Sequence, residues 1–196
     1  MSLKIGITGG IGSGKSTILK MFLELGGVAY YADMRAKELI NTSPEIKQQI
    51  ISIFGKKAYQ DDIYQASWMA SIVFKNRFLL HKLNNIVHPA VWKDFHEFCN
   101  SHPNQIIFYE AALIFENQNH HLFDKTILIS APINIKIERI KERDNISETQ
   151  IHARMSNQLS DEEKRPLADF EIINTDLEST RKQVLDIYKE IRDDRY

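Results

Sequence analysis

The chain has 196 residues, of which 43% are hydrophobic and 26% charged, which is ordinary for a globular protein with one main core. Its 25 basic and 26 acidic residues give a net charge of −1, so there is no overall attraction to nucleic acid or to anionic lipid. The single cysteine, Cys99, excludes an internal disulfide and a cysteine-based metal cluster. No apolar run reaches the ~18 residues of a membrane span, and the early glycines leave no room for a secretory signal. We therefore expect a cytoplasmic protein whose partners are neither nucleic acid nor membrane.

Short apolar segments alternate with amphipathic ones, which is typical of an α/β fold with a parallel sheet. The first segment leads into a glycine-rich loop, and helical spacing follows from Lys15 to Leu25. All eight glycines lie at or before Gly55, so the remainder is predicted to be mostly helical. Five core strands are predicted: Leu3–Thr8, Val28–Tyr31, Ile106–Tyr109, Thr126–Ile129 and Glu171–Ile173.

A long helical stretch separates the second strand from the third. A helix is predicted to begin at Ser43–Pro44 and to end at Gly55. Helical spacing resumes over about Tyr64–Asn100, with a predicted break at His88–Pro89, because the residue before a proline resists the α conformation. This stretch is too long for a simple crossover. Residues 41–100 are therefore predicted to be a helical insertion that binds an acceptor.

A second insertion, residues 137–169, is polar and rich in arginine and lysine. Ser147-x-x-Gln150 and Ser160-x-x-Glu163 fit the capping-box pattern and predict the starts of two short helices. This composition is typical of a mobile lid. The remaining residues, 1–40, 101–136 and 170–196, are predicted to form the nucleotide-binding core of a monomer or weak homo-oligomer.

The sequence Gly9-x-x-x-x-Gly14-Lys15-Ser16 fits the P-loop pattern and lies between a predicted strand and a predicted helix. In such a loop, backbone N–H groups and the helix N-terminus hold the β-phosphate, and the lysine bridges the β- and γ-phosphates. The serine hydroxyl would ligate Mg²⁺. A glycine-rich turn with an exposed lysine is the alternative interpretation. The residues predicted to contact the nucleotide are Gly12, Ser13, Gly14, Lys15, Ser16 and Thr17.

The P-loop alone does not distinguish a switch, a motor and a kinase. A GTPase needs a D-x-x-G segment, which cannot occur after residue 55 because no glycine lies there, and an N-K-x-D motif, which is absent. Motor and remodelling ATPases need a longer chain. A small-molecule kinase that uses ATP and Mg²⁺ remains.

Two acids are candidates for the chemistry of such a kinase. Asp33 follows the second strand, and the carboxyl ends of parallel strands border the ligand crevice, so it could deprotonate the attacking hydroxyl. It could equally cap the predicted helix Met34–Ile40. Glu110 ends the third strand, where many P-loop proteins hold an acid that binds Mg²⁺ through water.

Cations near the second insertion are candidates for neutralising the transferred phosphoryl group. Ile133, Ile137 and Ile140 are predicted to form the buried face of one helix. Its other face carries basic residues at helical spacing: Lys136, Arg139 and Arg143. A solvated basic surface is the alternative, and of the three Arg143 is the first choice for the catalytic role.

Five segments, in order along nearly the whole chain, resemble the dephospho-coenzyme A kinase family. TGGIGSGKST has that family's form of the phosphate loop, and ADMRAKEL resembles its DAD segment. LNNIVHP matches L-N-x-x-x-H-P, AALIFE resembles P-L-L-F-E, and RMSNQLSDEEKRPLADFEIIN matches R-x-x-x-Q…K…A-D…I-x-N. Two positions depart from the family pattern, because Tyr31 replaces the first acid of DAD and Ala112 the proline of P-L-L-F-E.

The resemblance implies transfer of a phosphoryl group from ATP to the ribose 3′-hydroxyl of dephospho-CoA, with Asp33 as the base. His88 could instead be structural, and Glu116 could cap a helix. Lys164 fits the pattern as a further cation. The residues that the resemblance implies for the acceptor are Asp33, His88, Leu113, Glu116, Arg154 and Gln158.

Two alternatives share only part of this pattern. A nucleotide or shikimate kinase would share the P-loop, but it has no reason to carry both the LNNIVHP segment and the pattern over Arg154–Asn174. A regulator that binds nucleotide without catalysis would be expected to lack Asp33 or the basic residues of the second insertion.

Overall fold

The computed structural model describes residues 2–193 as an α/β fold. Within them lie seven strands: β1 (Leu3–Thr8), β2 (Val28–Tyr31), β3 (Tyr59–Gln60), β4 (Ile63–Tyr64), β5 (Ile106–Glu110), β6 (Lys125–Ser130) and β7 (Phe170–Ile173). The α-helices of the same residues are α1 (Lys15–Glu24), α2 (Ala32–Thr42), α3 (Pro44–Phe54), α4 (Ala66–Val73), α5 (Arg77–Ser101), α6 (Ile133–Asp144), α7 (Glu148–Met155), α8 (Asp161–Lys164) and α9 (Leu177–Asp193).

Five of these strands form one parallel sheet in the order β2-β5-β1-β6-β7. They are the five strands that the sequence predicts, with ends that differ by one residue at most. β1 occupies the centre, so the loop that follows it opens between its neighbours β5 and β6. The carboxyl end of β1 therefore presents the glycine-rich loop at the middle of the sheet.

The core of the sheet is aliphatic and aromatic, as parallel strands covered on their faces require. Ile5 and Ile7 of β1 are fully buried, and α1 packs against α9. Phe22 of α1 contacts Phe108 of β5, with 4.7 Å between the ring centroids. This packing fixes α1, and with it the helix start that follows the loop.

The chain divides into two units. One is Ala32–Ser101, and the other comprises the described residues on either side of it, 2–31 and 102–193. The sheet, the glycine-rich loop and residues 137–169 all belong to the second of these. We call residues 137–169 the lid segment.

In the unit Ala32–Ser101, helices α2, α3 and α4 pack on α5. Ser43 accepts a hydrogen bond from the Ile46 N–H as the cap of α3, and Gly55 ends that helix, as the sequence predicts. Arg35 binds Asp94 through two hydrogen bonds, which join α2 to α5.

The predicted helix break at His88–Pro89 is wrong, because α5 continues through Pro89. The break lies earlier, between Val73 and Arg77, where Asn76 accepts hydrogen bonds from two N–H groups at the start of α5. A proline removes one helical hydrogen bond and strains the preceding turn. Packing of three helices on α5 compensates for that loss.

A small β3–β4 hairpin precedes α4, and the sequence pattern does not predict it. Its loop is Asp61-Asp62, with both residues at positive φ (49° and 67°), which fits a two-residue hairpin. Tyr59 anchors the hairpin by donating its hydroxyl hydrogen to the Ile40 carbonyl at 2.7 Å.

Two further expectations about helix ends have different outcomes. The capping boxes at Ser147 and Ser160 are both present, which confirms the predicted helix starts. Asp33 is not an N-cap, because α2 begins at Ala32 and Asp33 lies in its first turn. There a carboxylate still interacts favourably with the helix dipole.

The predicted buried face of α6 is wrong at its first position. Ile140 is fully buried, but Ile133 is 57% exposed because it is the first residue of the helix, directly after Pro132. Lys136 takes a buried place instead, with only 7% of its surface exposed. A lysine can be buried there because an acid lies beside it, as described below.

Candidate active site

The phosphate loop connects β1 to α1 through glycines that no other residue could replace without strain. Gly12 and Gly14 have φ of +81° and +89°, in the left-handed region. A Cβ at Gly12 would lie 2.7 Å from the Lys136 carbonyl oxygen, and one at Gly14 would lie 2.2 Å from Asn174 Nδ2. The loop is therefore enclosed by α6 and by the residue that follows β7.

Asn174 is hydrogen-bonded to the phosphate loop and so helps to hold its conformation. Its Nδ2 donates to the Ser13 carbonyl at 2.8 Å, and its Oδ1 accepts from the Thr180 hydroxyl at 3.2 Å. The sequence pattern gave Asn174 no role, although it ends the I-x-N pattern and directly follows β7. Lys15 Nζ donates to the Gly9 carbonyl at 2.8 Å, which keeps the ammonium over the loop.

A cleft of about 530 Å³ opens above the loop and the N-terminus of α1. Its walls include most of the predicted nucleotide contacts together with Glu110 at the end of β5. Ser13 is the exception, because its side chain is fully buried and it does not line the cleft. The lining residues are Ile11, Gly12, Gly14, Lys15, Ser16, Thr17, Glu110, Ala112, Arg139, Arg143 and Gln158.

Two of the three predicted cations of α6 reach this cleft. Arg139 donates to the Ser13 carbonyl at 3.4 Å and to the Asn174 carbonyl at 3.3 Å, which ties it to the loop. Arg143 lines the cleft with 62% of its side chain exposed, and it binds the adjacent Asp144 at 2.7 Å. The hydrogen bond to Asp144 is the main reason that the pKa of Arg143 is raised, so its charge is permanent.

Asp144 also binds Arg154 of α7, at 2.7 Å. The pKa of Asp144 is lowered, first by the hydrogen bond from Arg143 and then by the contribution of Arg154. One carboxylate therefore holds two exposed guanidinium groups, one from each side of the turn between α6 and α7.

The remaining predicted lysines do not line the cleft. Lys136 Nζ lies 2.5 Å from Asp161 Oδ2, and both side chains are buried. Lys164 is fully buried, 2.8 Å from Glu116 Oε1. The expectation that Lys136 shares a basic face turned toward the nucleotide is wrong, and Lys164, the further cation of the family pattern, is buried in an ion pair as well. Both ammonium groups are buried because each one pairs with an acid that is distant in sequence.

Glu116 and Leu113, two predicted acceptor contacts, follow β5. The Glu116 carboxylate accepts from the Leu159 N–H at 3.1 Å in addition to binding Lys164, which is a structural use of this acid. Leu113 is 38% exposed, so its side chain is accessible to a ligand.

Asp33 and His88 lie in the unit Ala32–Ser101. Asp33 is exposed in the first turn of α2, three residues beyond Tyr30 of β2. His88 is half-buried in α5, and burial lowers its pKa. Burial therefore favours the neutral imidazole, which can donate or accept a hydrogen bond.

A glycine-rich loop at the centre of a parallel sheet, followed by a helix N-terminus and faced by two arginines, defines a P-loop kinase. The comparisons with known proteins give the family. A sequence model described as dephospho-CoA kinase matches residues 3–179. The chain belongs to the dephospho-CoA kinase family.

Individual relatives agree with that assignment. A dephospho-CoA kinase from Salinibacter ruber is 35% identical over 189 residues, covering 94% of this chain and 95% of the relative. The solved dephospho-CoA kinase from Campylobacter jejuni has a TM-score of 0.60 at 28% identity, covering 97% of each chain. The structure of TT1252 from Thermus thermophilus is more similar in shape, with a TM-score of 0.87 at 26% identity, covering 96% of this chain and 97% of that one.

Membership of this family gives the activity, which is ATP-dependent phosphorylation of dephospho-CoA in coenzyme A biosynthesis. The alternative of a nucleotide or shikimate kinase is not favoured. Across residues 2–193, none of the helices combines the length and apolar character that a bilayer crossing requires.

Proposed function

We propose that ATP binds with its phosphates in the cleft above the phosphate loop. The observation that carries this proposal is the convergence of Lys15, Ser16, Arg139 and Arg143 on one cleft of about 530 Å³. Backbone N–H groups of the loop and the N-terminus of α1 hold the β-phosphate. Lys15 bridges the β- and γ-phosphates, and Thr17 reaches the α-phosphate.

Mg²⁺ fits the oxygen donors of this cleft. The Ser16 hydroxyl and the Glu110 carboxylate both line it, and Mg²⁺ takes one or two protein oxygens together with phosphate and water. No group of three or more His, Cys, Asp or Glu residues that could hold a metal occurs between residues 2 and 193, which agrees with a metal held largely by the nucleotide. When bound, the ion would neutralise charge on the phosphate oxygens.

Arg143 is the catalytic cation. It is exposed, permanently charged and paired with the neighbouring Asp144 at the end of the same helix, so it can turn toward the γ-phosphate. A charge placed there stabilises the transition state more than the ground state. Arg139 is held to the loop and contributes mainly to binding the nucleotide.

Asp33 is the base that accepts the proton of the ribose 3′-hydroxyl. Its position two residues after β2 supports this role, because ligands of parallel α/β folds bind beside the carboxyl ends of the strands. Tyr31 replaces the first acid of the family's DAD, so Asp33 is the one carboxylate at these three positions. His88, Leu113 and Arg154 would contact the acceptor, His88 through hydrogen bonds of its imidazole. Glu116, the further residue that the resemblance implies, is instead engaged by Lys164 and the Leu159 N–H.

A panel of acceptors tests the activity. ADP release should be measured with dephospho-CoA, shikimate and nucleoside monophosphates, and the phosphorylated position of the product should be determined by NMR. We expect turnover with dephospho-CoA alone and phosphate on the 3′-oxygen. Lys15→Ala is the control, because it removes the contact with the β- and γ-phosphates and should abolish turnover without unfolding the protein. Preferred turnover of another acceptor would contradict the proposal.

Asp33→Asn tests the base. Asparagine keeps the size of the side chain and one hydrogen-bond acceptor but cannot take a proton. We expect kcat to fall by roughly 10²–10⁴, toward the lower value because a loose transition state demands little of the base. Affinity for ATP and the melting temperature should remain near those of the wild type. Unchanged turnover would place the base elsewhere.

The functional division of the chain is also part of this proposal. Residues 1–40, 101–136 and 170–196 form the nucleotide-binding core, residues 41–100 bind the acceptor, and residues 137–169 act as the lid. We further propose a cytoplasmic enzyme, supported by one buried cysteine and no other. A monomer or weak homo-oligomer is expected, which sedimentation equilibrium would test.

A further inference from the structure

Three polar side chains gather against the first half of the phosphate loop. They are Lys136 of α6, Asp161 of α8 and Gln158, which lies between α7 and α8. A Cβ at Gly10 would lie 3.3 Å from Lys136 Nζ and 3.7 Å from both Asp161 Oδ1 and Gln158 Oε1. These distances show that the cluster packs directly against the loop at Gly10.

Gln158 is hydrogen-bonded to the loop. Its Oε1 accepts from the Ile11 N–H at 2.9 Å, across 147 positions of sequence. Gln158 also forms part of the wall of the nucleotide cleft, whereas Lys136 and Asp161 do not. The side-chain oxygen that the resemblance assigns to the acceptor site is thus turned toward the phosphate loop.

The Lys136–Asp161 pair holds the segment that carries Gln158. Asp161 begins α8, three residues after Gln158, and its Oδ2 also lies 3.3 Å from the Ala131 N–H at the end of β6. Both charged side chains are buried, so separating them would leave an uncompensated charge in the interior. This ion pair therefore fixes the start of α8 to the sheet.

We propose that Gln158 is a positioning residue of the ATP site, which orients the peptide between Gly10 and Ile11 and not the acceptor. The proposal deepens the ATP-binding role given above and rests on it. Gly9, Gly10, Gly12 and Gly14 leave the loop backbone with many accessible conformations. The hydrogen bond from Gln158 fixes the peptide at Ile11 and so favours the loop conformation in which the following N–H groups face the phosphates. A loop that is already in this conformation loses less entropy when ATP binds, which raises the affinity.

The substitution Gln158→Met tests this role. Methionine has nearly the same length but no acceptor for the Ile11 N–H, and an unsatisfied polar group is costly. We expect the Kd for ATP, measured by calorimetry without acceptor, to rise about tenfold. The KM for dephospho-CoA should change less than twofold. In hydrogen exchange, the Ile11 amide should exchange at least about tenfold faster, because its partner is gone.

Asn157→Met is the matched control, because Asn157 is the exposed neighbour and its side chain bonds only locally, to the Ala153 carbonyl. It should leave both constants and the Ile11 exchange rate unchanged. If Gln158→Met folds poorly, Gln158→Ala should give the same pattern. A raised KM for dephospho-CoA with an unchanged Kd for ATP would overturn the proposal and return Gln158 to the acceptor site. Because calorimetry needs no turnover, a wild-type protein that binds ATP but fails with dephospho-CoA would contradict only the proposed function.

Discussion

Charged side chains in and beside the lid segment form two kinds of ion pair, one exposed and one buried. Near the turn between α6 and α7 the pairs are exposed, and we call Arg143–Asp144–Arg154 and Lys141–Glu148 the outer pairs. Near α8 they are buried, and we call Lys136–Asp161 and Lys164–Glu116 the inner pairs. Exposed pairs contribute little to stability and rearrange easily, whereas breaking a buried pair is expensive. The difference separates a part of the lid segment that can turn toward a ligand from a part that anchors it.

Breaking an inner pair should have the largest effect on stability. Lys164→Met leaves the Glu116 carboxylate without its cation, and we expect the free energy of unfolding to fall by about 3–5 kcal/mol. Urea denaturation measures this loss. Glu116→Gln combined with Lys164→Met should recover at least half of it, because no charge is then buried alone and the amide oxygen can still accept from the Leu159 N–H. A loss below about 1 kcal/mol would mean that this buried pair contributes no more to stability than an exposed pair does.

Removing the exposed cation of the cleft should change activity and not stability. We expect Arg143→Ala to lower kcat by about 10²-fold, with a smaller rise in the KM for dephospho-CoA, because its charge acts mainly in the transition state. Lys141→Ala is the control, since it removes another exposed cation of the same helix that does not line the cleft. An effect confined to the acceptor KM would assign Arg143 to the acceptor site.

The smallest effect is expected for the outer pair Lys141–Glu148. The pKa of Glu148 is lowered, mainly by the hydrogen bond from Lys141, so the stabilisation from this pair is present above the ordinary pKa of 4.5. It is lost as the pH falls below that value and Glu148 takes up a proton. In Lys141→Ala, NMR titration should show the pKa of Glu148 moving back toward 4.5, while the melting temperature at pH 7 changes by no more than about 2 °C. A large drop in melting temperature would mean that the outer pairs also anchor the lid segment.

Local patterns predicted much of the fold because the interactions behind them are local. Each of the five sheet strands is a short, mainly apolar run, and the two capping boxes are formed by residues three positions apart. The predicted break at Pro89 was wrong because nonlocal packing outweighs a local effect there. A proline's effect on its own turn is local, but α5 is stabilised by packing against α2, α3 and α4, which helical spacing does not encode.

In the candidate site, too, local spacing predicted some residues correctly and could not place others. The spacing of Gly9, Gly14, Lys15 and Ser16 is sufficient to place a phosphate loop, and the structure brings Glu110, Arg139 and Arg143 to the same cleft. Sequence spacing could not separate Lys136 from the two arginines, because all three share one face of α6.

The sequence by itself determined the phosphate loop, the strands that frame it and the family, since each depends on residues close together or on motifs in a fixed order. Only the tertiary structure decided which cations line the cleft above the phosphate loop. Asp161 lies 25 residues from Lys136, and Gln158 lies 147 from Ile11, so their contacts exist only once the sheet has brought the segments together. Lys136 is an anchor because it pairs with a buried acid, whereas Arg143 pairs with the partly exposed Asp144 and stays exposed in the cleft.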